Sequence, residues 1–117
     1  MDRDFEIAHR NELLVLLLGT NMGDRSQNLT QAITGLNKLL GEPTKQSTVY
    51  ETPPWGNENQ DAFLNMAVIY ATSIKPTILL ESILQLEVEL GRVRQKKWGP
   101  RLIDIDIIFY GDRKSVV

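Results

Sequence analysis

The chain has 117 residues, of which 42% are hydrophobic and 24% charged, and its net charge is −2. That length supports one domain with a real core rather than two, and the near-neutral balance gives no global attraction to nucleic acid or to anionic membranes. No cysteine is present, so disulfides and thiolate metal sites are excluded.

Residues 1–12 carry no apolar period and are expected to form a flexible lead-in. They lack the pattern of a signal peptide, and the apolar run at 13–18 is too short to span a membrane, so a cytoplasmic location is the default expectation. That run, Leu13 to Leu18 closed by Gly19, predicts a strand buried on both faces and central in its sheet. Asp24 with Gln27 forms a variant capping box. Behind it Leu29, Ala32, Ile33, Leu36, Leu39 and Leu40 recur at helical spacing, and Gly41 and Pro43 stop the helix, which is predicted over 24–40. Residues 45–52 predict an edge strand ended by Pro53 and Pro54. A polar loop around Trp55 follows, and then a third strand over 62–72. Pro76 suits the first position of a second helix, whose stripe is Leu79, Ile83, Leu86 and Leu90 and whose end is Gly91. The last strand is predicted over 102–110. The order β-α-β-β-α-β predicts an α+β, ferredoxin-like fold, with an antiparallel sheet and both helices on one face, in a single domain over 13–117.

The segment WGPRLIDIDIIFYG, Trp98 to Gly111, carries the most chemistry. Ile103, Ile105 and Ile107 share one face of the predicted strand, while Asp104 and Asp106 project from the other, about 6.5–7 Å apart. Two close carboxylates repel unless a cation lies beside them. A divalent metal answers that need, because Mg²⁺ takes one or two protein carboxylates and completes its shell with water and phosphate oxygens. D-x-D spacing alone fits better an exposed face of an amphipathic edge strand. The residues before it favour the metal: Arg92, Arg94, Lys96, Lys97 and Arg101 form a cationic stretch without an acid, next to Trp98. Arginine forks match phosphate oxygens in pairs, so arginine, metal and phosphate would meet at one place, as phosphoryl transfer requires. A solvated basic loop is the alternative.

Thr52, Pro53, Trp55, Phe63 and Asn65 form the third group. Rigid prolines, two aromatic rings and an amide could make a slot for a flat heterocycle, although Phe63 could equally be core and Asn65 a backbone partner. The turn from Gly19 to Gly23 matches neither a P-loop nor G-x-G-x-x-G. The single histidine, His9, lies in the lead-in, and no nucleophilic triad can be assembled.

Five strings in order, GTNMGDRSQNL, YETPPWG, FLNMAV, LEVELGRVR and KWGPRLIDIDIIFYG, resemble the hydroxymethyldihydropterin pyrophosphokinase family of the folate pathway. The resemblance runs from about Leu13 to Gly111. It implies transfer of pyrophosphate from ATP, with two Mg²⁺ ions, to the hydroxymethyl oxygen of a reduced pterin. It implies that Asp104 and Asp106 hold the metals, and that Arg92 and Arg101 act in catalysis. Glu87, Arg92, Arg94, Trp98 and Arg101 would contact nucleotide. Thr52, Pro53, Trp55, Phe63, Asn65 and Trp98 would bind the pterin, with the loop carrying Trp98 closing over it. ATP and a reduced pterin are the implied partners, with neither nucleic acid nor membrane.

Members of that family continue for a few dozen residues beyond the last strand, and that segment brings further nucleotide contacts and an aromatic ring to the pterin. Each aromatic face contributes roughly 1 kcal/mol, and each charge-assisted phosphate contact about 1.5–3 kcal/mol. A chain without it is expected to fold, with catalysis weakened. A silent homologue that still binds nucleotide or pterin is therefore the alternative expectation. An RNA-binding ferredoxin-like domain is disfavoured by the sequence pI of 5.4. The protein is expected to be a monomer, or a dimer through the edge where the absent segment would pack.

Overall fold

In a computed structural model, the structure describes residues 11–53, 61–91 and 102–111 and the backbone of 113–114. Its elements are β1 (Glu12–Thr20), α1 (Arg25–Leu40), β2 (Lys45–Gln46), β3 (Tyr50–Thr52), β4 (Phe63–Thr72), α2 (Pro76–Glu89), β5 (Asp104–Tyr110) and β6 (Arg113–Lys114). The sheet runs β2-β4-β1-β5-β6, with β3 also on β4, and every pairing is antiparallel. Each helix thus connects strands that have another strand between them, which is the ferredoxin-like arrangement expected from the element order.

The helices lie on one face. From β1, Leu14, Leu16 and Leu18 point into them and are fully buried, joined by Met66, Val68 and Tyr70 of β4 and by Ile105 and Tyr110 of β5. The helices contribute Leu29, Ala32 and Leu36 from α1 and Leu79 and Ile83 from α2. Asp24 caps α1, its Oδ1 accepting from the Gln27 N–H at 3.1 Å, and at the far end the Gly41 N–H donates to the Asn37 carbonyl.

Two expectations are corrected. β1 is central, but it is not buried on both faces: Leu13 is 51% exposed, and Val15 and Leu17 are half-buried. Among the described residues both helices cover the same side, so an all-apolar run marks a central strand without marking two covers. The edge strand expected over 45–52 is two short pieces, β2 and β3. Ser47 divides them, its Oγ accepting from the Ala67 N–H at 2.8 Å where a strand carbonyl would otherwise serve. A hydroxyl that substitutes for backbone breaks the ladder without leaving β4 unpaired.

Tyr70 ties the core to α1, its hydroxyl donating to Asn37 Oδ1 at 2.7 Å. Burial, and secondarily the negative charge of Glu42, push its pKa up to about 12. The unfolded chain releases this proton near pH 10, so unfolding is favoured increasingly as pH rises above that value. The contribution of Tyr70 to stability is complete below about pH 10 and lost as pH climbs through about 12. Urea unfolding at about pH 9 and about pH 11.5 should show a loss of stability that Tyr70→Phe lacks; equal losses in both proteins would exclude this coupling. No described helix is long and apolar enough to cross a membrane.

Candidate functional site

The face of the sheet opposite the helices carries four of the polar residues singled out from sequence, Thr52, Asn65, Asp104 and Asp106. Partners in an antiparallel ladder share a face, so the register places them. Gly19 pairs with Asn65 of β4 on one side and with Asp104 of β5 on the other. Leu17 pairs with Ala67 and Asp106. On the outer side of β4, Tyr50 pairs with Asn65 and Thr52 with Phe63. One row across the open face therefore reads Tyr50, Asn65, Gly19, Asp104. With strands about 4.8 Å apart, the backbone of Asn65 and that of Asp104 stand about 10 Å apart across Gly19. The isoleucines fasten the strand from behind: Ile103 and Ile105 are buried on the helix side, and Ile107 packs against the same cluster. Beyond Ile107 a bulge opposite Val15 and Leu16 breaks this alternation, and Ile108 and Phe109 are exposed.

Asn65 is oriented by its neighbours. Its Nδ2 donates to Thr52 Oγ1 at 2.9 Å and, at 3.4 Å, to the Tyr50 carbonyl. That turns Oδ1 over Gly19, where an added Cβ would lie 3.2 Å from it and 3.7 Å from Phe63 Cδ1. Gly19 is thus the floor between the amide-and-aromatic half of the site and the carboxylate half, a role the sequence reading missed. The available signal was a glycine ending an unbroken apolar strand, which reads more readily as a terminator.

The turn after β1 and the start of α1 fasten the flanks of the segment that carries Trp55. Arg25 Nη1 donates to the Ala62 carbonyl at 2.7 Å and reaches Glu51 Oε2 at 3.4 Å. Asn21, 2% exposed, donates through Nδ2 to the Asp61 carbonyl at 3.3 Å. Asn28, in the first turn of α1, holds the turn itself by donating to Thr20 Oγ1 and the Met22 carbonyl. Arg25 was invisible in the sequence because the first turn of a helix is a common place for a solvated charge.

Asp104 is half-buried and Asp106 exposed on this face. Glu87, in the last turns of α2, is only 5% exposed and its Oε2 accepts from the Ile105 N–H at 2.7 Å. Pro53 is exposed at the end of β3, next to Thr52. Trp55, Arg92, Arg94, Trp98 and Arg101 lie outside the described residues, as do Lys96 and Lys97. The residues that bound the cationic stretch do meet. Gly91 adopts φ +91°, and an added Cβ there would lie 2.9 Å from Leu102 Cδ2. The stretch therefore leaves and rejoins the fold at one place, two residues before Asp104. Among the described residues no group of three or more His, Cys, Asp or Glu side chains could hold a metal. Two carboxylates remain, a hard-oxygen pair that could hold Mg²⁺ once water and phosphate oxygens complete the shell.

Known proteins match both the sequence and the fold. The profile of the 7,8-dihydro-6-hydroxymethylpterin-pyrophosphokinase (HPPK) family matches residues 15–117. The 2-amino-4-hydroxy-6-hydroxymethyldihydropteridine pyrophosphokinase of Bacillus subtilis is 46% identical over 86% of this chain and 60% of its own length. The protein of that name from Aquifex aeolicus is 50% identical over 81% of this chain and 59% of its own. The chain thus spans about 60% of the length of these curated relatives. Among solved structures, wild-type Plasmodium falciparum HPPK-DHPS superposes with a TM-score of 0.66 at 18% identity, over 89% of this chain and 30% of that one, a likeness of fold. Sequence match and fold agree, and the chain belongs to the 7,8-dihydro-6-hydroxymethylpterin-pyrophosphokinase family.

Proposed function

We propose that the chain transfers the pyrophosphoryl group of ATP, with Mg²⁺, to the hydroxymethyl oxygen of 6-hydroxymethyl-7,8-dihydropterin and releases AMP. The observation that carries this reading is the row Asn65–Gly19–Asp104. It sets an amide that can read the edge of a heterocycle about two strand spacings from a carboxylate pair that can receive a metal-bound phosphate. The names of the relatives support the same substrate class.

In this reading Asn65 and Thr52 orient the polar edge of the pterin, Phe63 supplies a ring face, and Pro53 and Trp55 complete the slot. Gly19 lets the ring approach the sheet, so that the hydroxymethyl group points towards β5. Asp104 and Asp106 hold the metal. When bound, Mg²⁺ screens the triphosphate charge and polarises the phosphoryl oxygens. Arg92, Arg94 and Arg101 neutralise negative charge on the nucleotide, and Trp98 covers the substrates against water. The pterin oxygen forms a bond to the β-phosphorus, and its proton is released to solvent with the products. The bond from that phosphorus to the oxygen bridging it to the α-phosphorus breaks, and AMP departs with that oxygen.

The test is AMP formation from ATP, pterin and Mg²⁺. AMP that depends on pterin supports the reading, and its absence from protein with a native circular dichroism spectrum overturns it. A second reading is a chain that binds nucleotide or pterin without turnover. Uptake of a non-hydrolysable ATP analogue without AMP formation would establish that alternative.

A further inference from the structure

Glu87 interrupts the apolar face of its own helix. Leu79, Ile83 and Glu87 follow at intervals of four, and all three are buried. A carboxylate on a buried stripe is costly unless hydrogen bonds compensate it. Here the Ile105 N–H meets Oε2 at 2.7 Å, a short charge-assisted bond. Ile105 stands between Asp104 and Asp106. One edge of β5 is occupied by β1, and among the described residues the other is strand-paired only at Phe109 and Tyr110, by β6. The amide received by Glu87 belongs to a stretch of edge with no strand partner there.

We propose that Glu87 is a positioning residue for the carboxylate pair: by fixing the Ile105 N–H it sets the peptide that joins Asp104 to its neighbour, and so the direction in which both aspartates present their oxygens to metal-bound nucleotide. At 5% exposure the side chain has little surface to offer a ligand directly. The Ile105 amide links it to the site through backbone, and a strand edge left unsatisfied would be free to twist or bulge. The assignment rests on the pyrophosphokinase reading above.

Two variants separate positioning from direct contact. Glu87→Met keeps the volume and removes the acceptor, whereas Glu87→Gln removes the charge and keeps a carbonyl oxygen for the amide. The probe is Mn²⁺ followed by electron paramagnetic resonance, with and without α,β-methylene-ATP, beside nucleotide binding in chelator and exchange of the Ile105 amide by NMR. Glu87→Met should weaken Mn²⁺ uptake with the analogue about 10–100-fold, the range for residues that orient metal ligands through another group. Its Ile105 amide should exchange on the order of tenfold faster, and metal-free nucleotide binding should stay at the wild-type level. Glu87→Gln should remain close to wild type in all three. The assignment is overturned if Glu87→Met binds Mn²⁺ as wild type does, if Glu87→Gln is as damaged as Met, or if metal-free nucleotide affinity falls in parallel. Should Glu87→Met not fold, Glu87→Gln decides alone: retained Mn²⁺ binding supports positioning, and its loss points to a role for the charge. A wild-type chain that takes up no Mn²⁺ with the analogue overturns the pyrophosphokinase reading itself, a result distinct from each of these.

Discussion

Asp104→Ala and Asp106→Ala are each expected to lower AMP formation on the order of 10²–10³-fold while leaving the melting temperature nearly unchanged. Neither aspartate is part of the apolar cluster; one is half-buried and the other exposed on the helix-free face. A substitution there should change stability by about 1 kcal/mol at most in either direction. The neighbouring position should behave in the opposite way. Ile105 lies between them in sequence, but its side chain is 5% exposed on the helix side, among the core residues. Ile105→Ala should therefore cost about 2–5 kcal/mol of stability through lost burial and a residual cavity. Turnover and denaturant midpoint measured on the three variants would check this division of labour. Aspartate variants that unfold as readily as Ile105→Ala would make the pair structural and remove the metal from the proposed mechanism.

That alternation explains how far the sequence could be read. Period-two patterning in IDIDI assigned β5 its two faces without coordinates, and 3.6-residue patterning did the same for both helices, because each repeat follows from backbone geometry alone. What stayed hidden depended on which elements cover which face. Leu13 to Leu18 is apolar throughout, but only Leu14, Leu16 and Leu18 meet helices, so composition could not distinguish a strand with one described cover from a strand with two. The division of the edge strand at Ser47 depends on one hydroxyl replacing a carbonyl, and a local pattern does not carry that choice.

The site was legible in the same uneven way. Charged, amide and aromatic residues stood out by type, and Asp104, Asp106, Phe63 and Asn65 lie on one face of the sheet. Glu87 could also have been suspected of an inward role from its place on the stripe of Leu79 and Ile83. Arg25 and Asn21 act on backbone carbonyls 37 and 40 residues away, and nothing local reports such a partner. Gly19 is the extreme case, since its contribution is an absent side chain, and only the register with β4 and β5 shows what that absence leaves room for.

Gly19→Val should then separate binding from folding most sharply. Valine suits a central strand better than glycine, and replacing glycine also removes freedom from the unfolded chain, which offsets part of the crowding at this buried position, so the fold should lose no more than about 1–3 kcal/mol. Its methyl groups would project onto the open face, where the Cβ alone comes within 3.2 Å of Asn65 Oδ1 and 3.7 Å of Phe63 Cδ1. Either Asn65 leaves its bond to Thr52 or the valine occupies the floor on which the heterocycle is proposed to lie. Overpacking of this kind costs roughly 1–3 kcal/mol. Taken from the bound state, that weakens pterin about 5–150-fold. Gly19→Ala, with one methyl group, should fall between wild type and valine. Asp104, on the other side of Gly19, faces the half proposed for the nucleotide, so the Mn²⁺ complex of the ATP analogue should be held with less change than the pterin. Fluorescence titration with pterin, beside calorimetric titration with the metal–nucleotide complex, reads both halves on one protein. Equal losses in the two titrations would mean that Gly19 supports the whole face rather than its pterin half. Unchanged pterin affinity in Gly19→Val would move the heterocycle off Gly19 and away from Asn65.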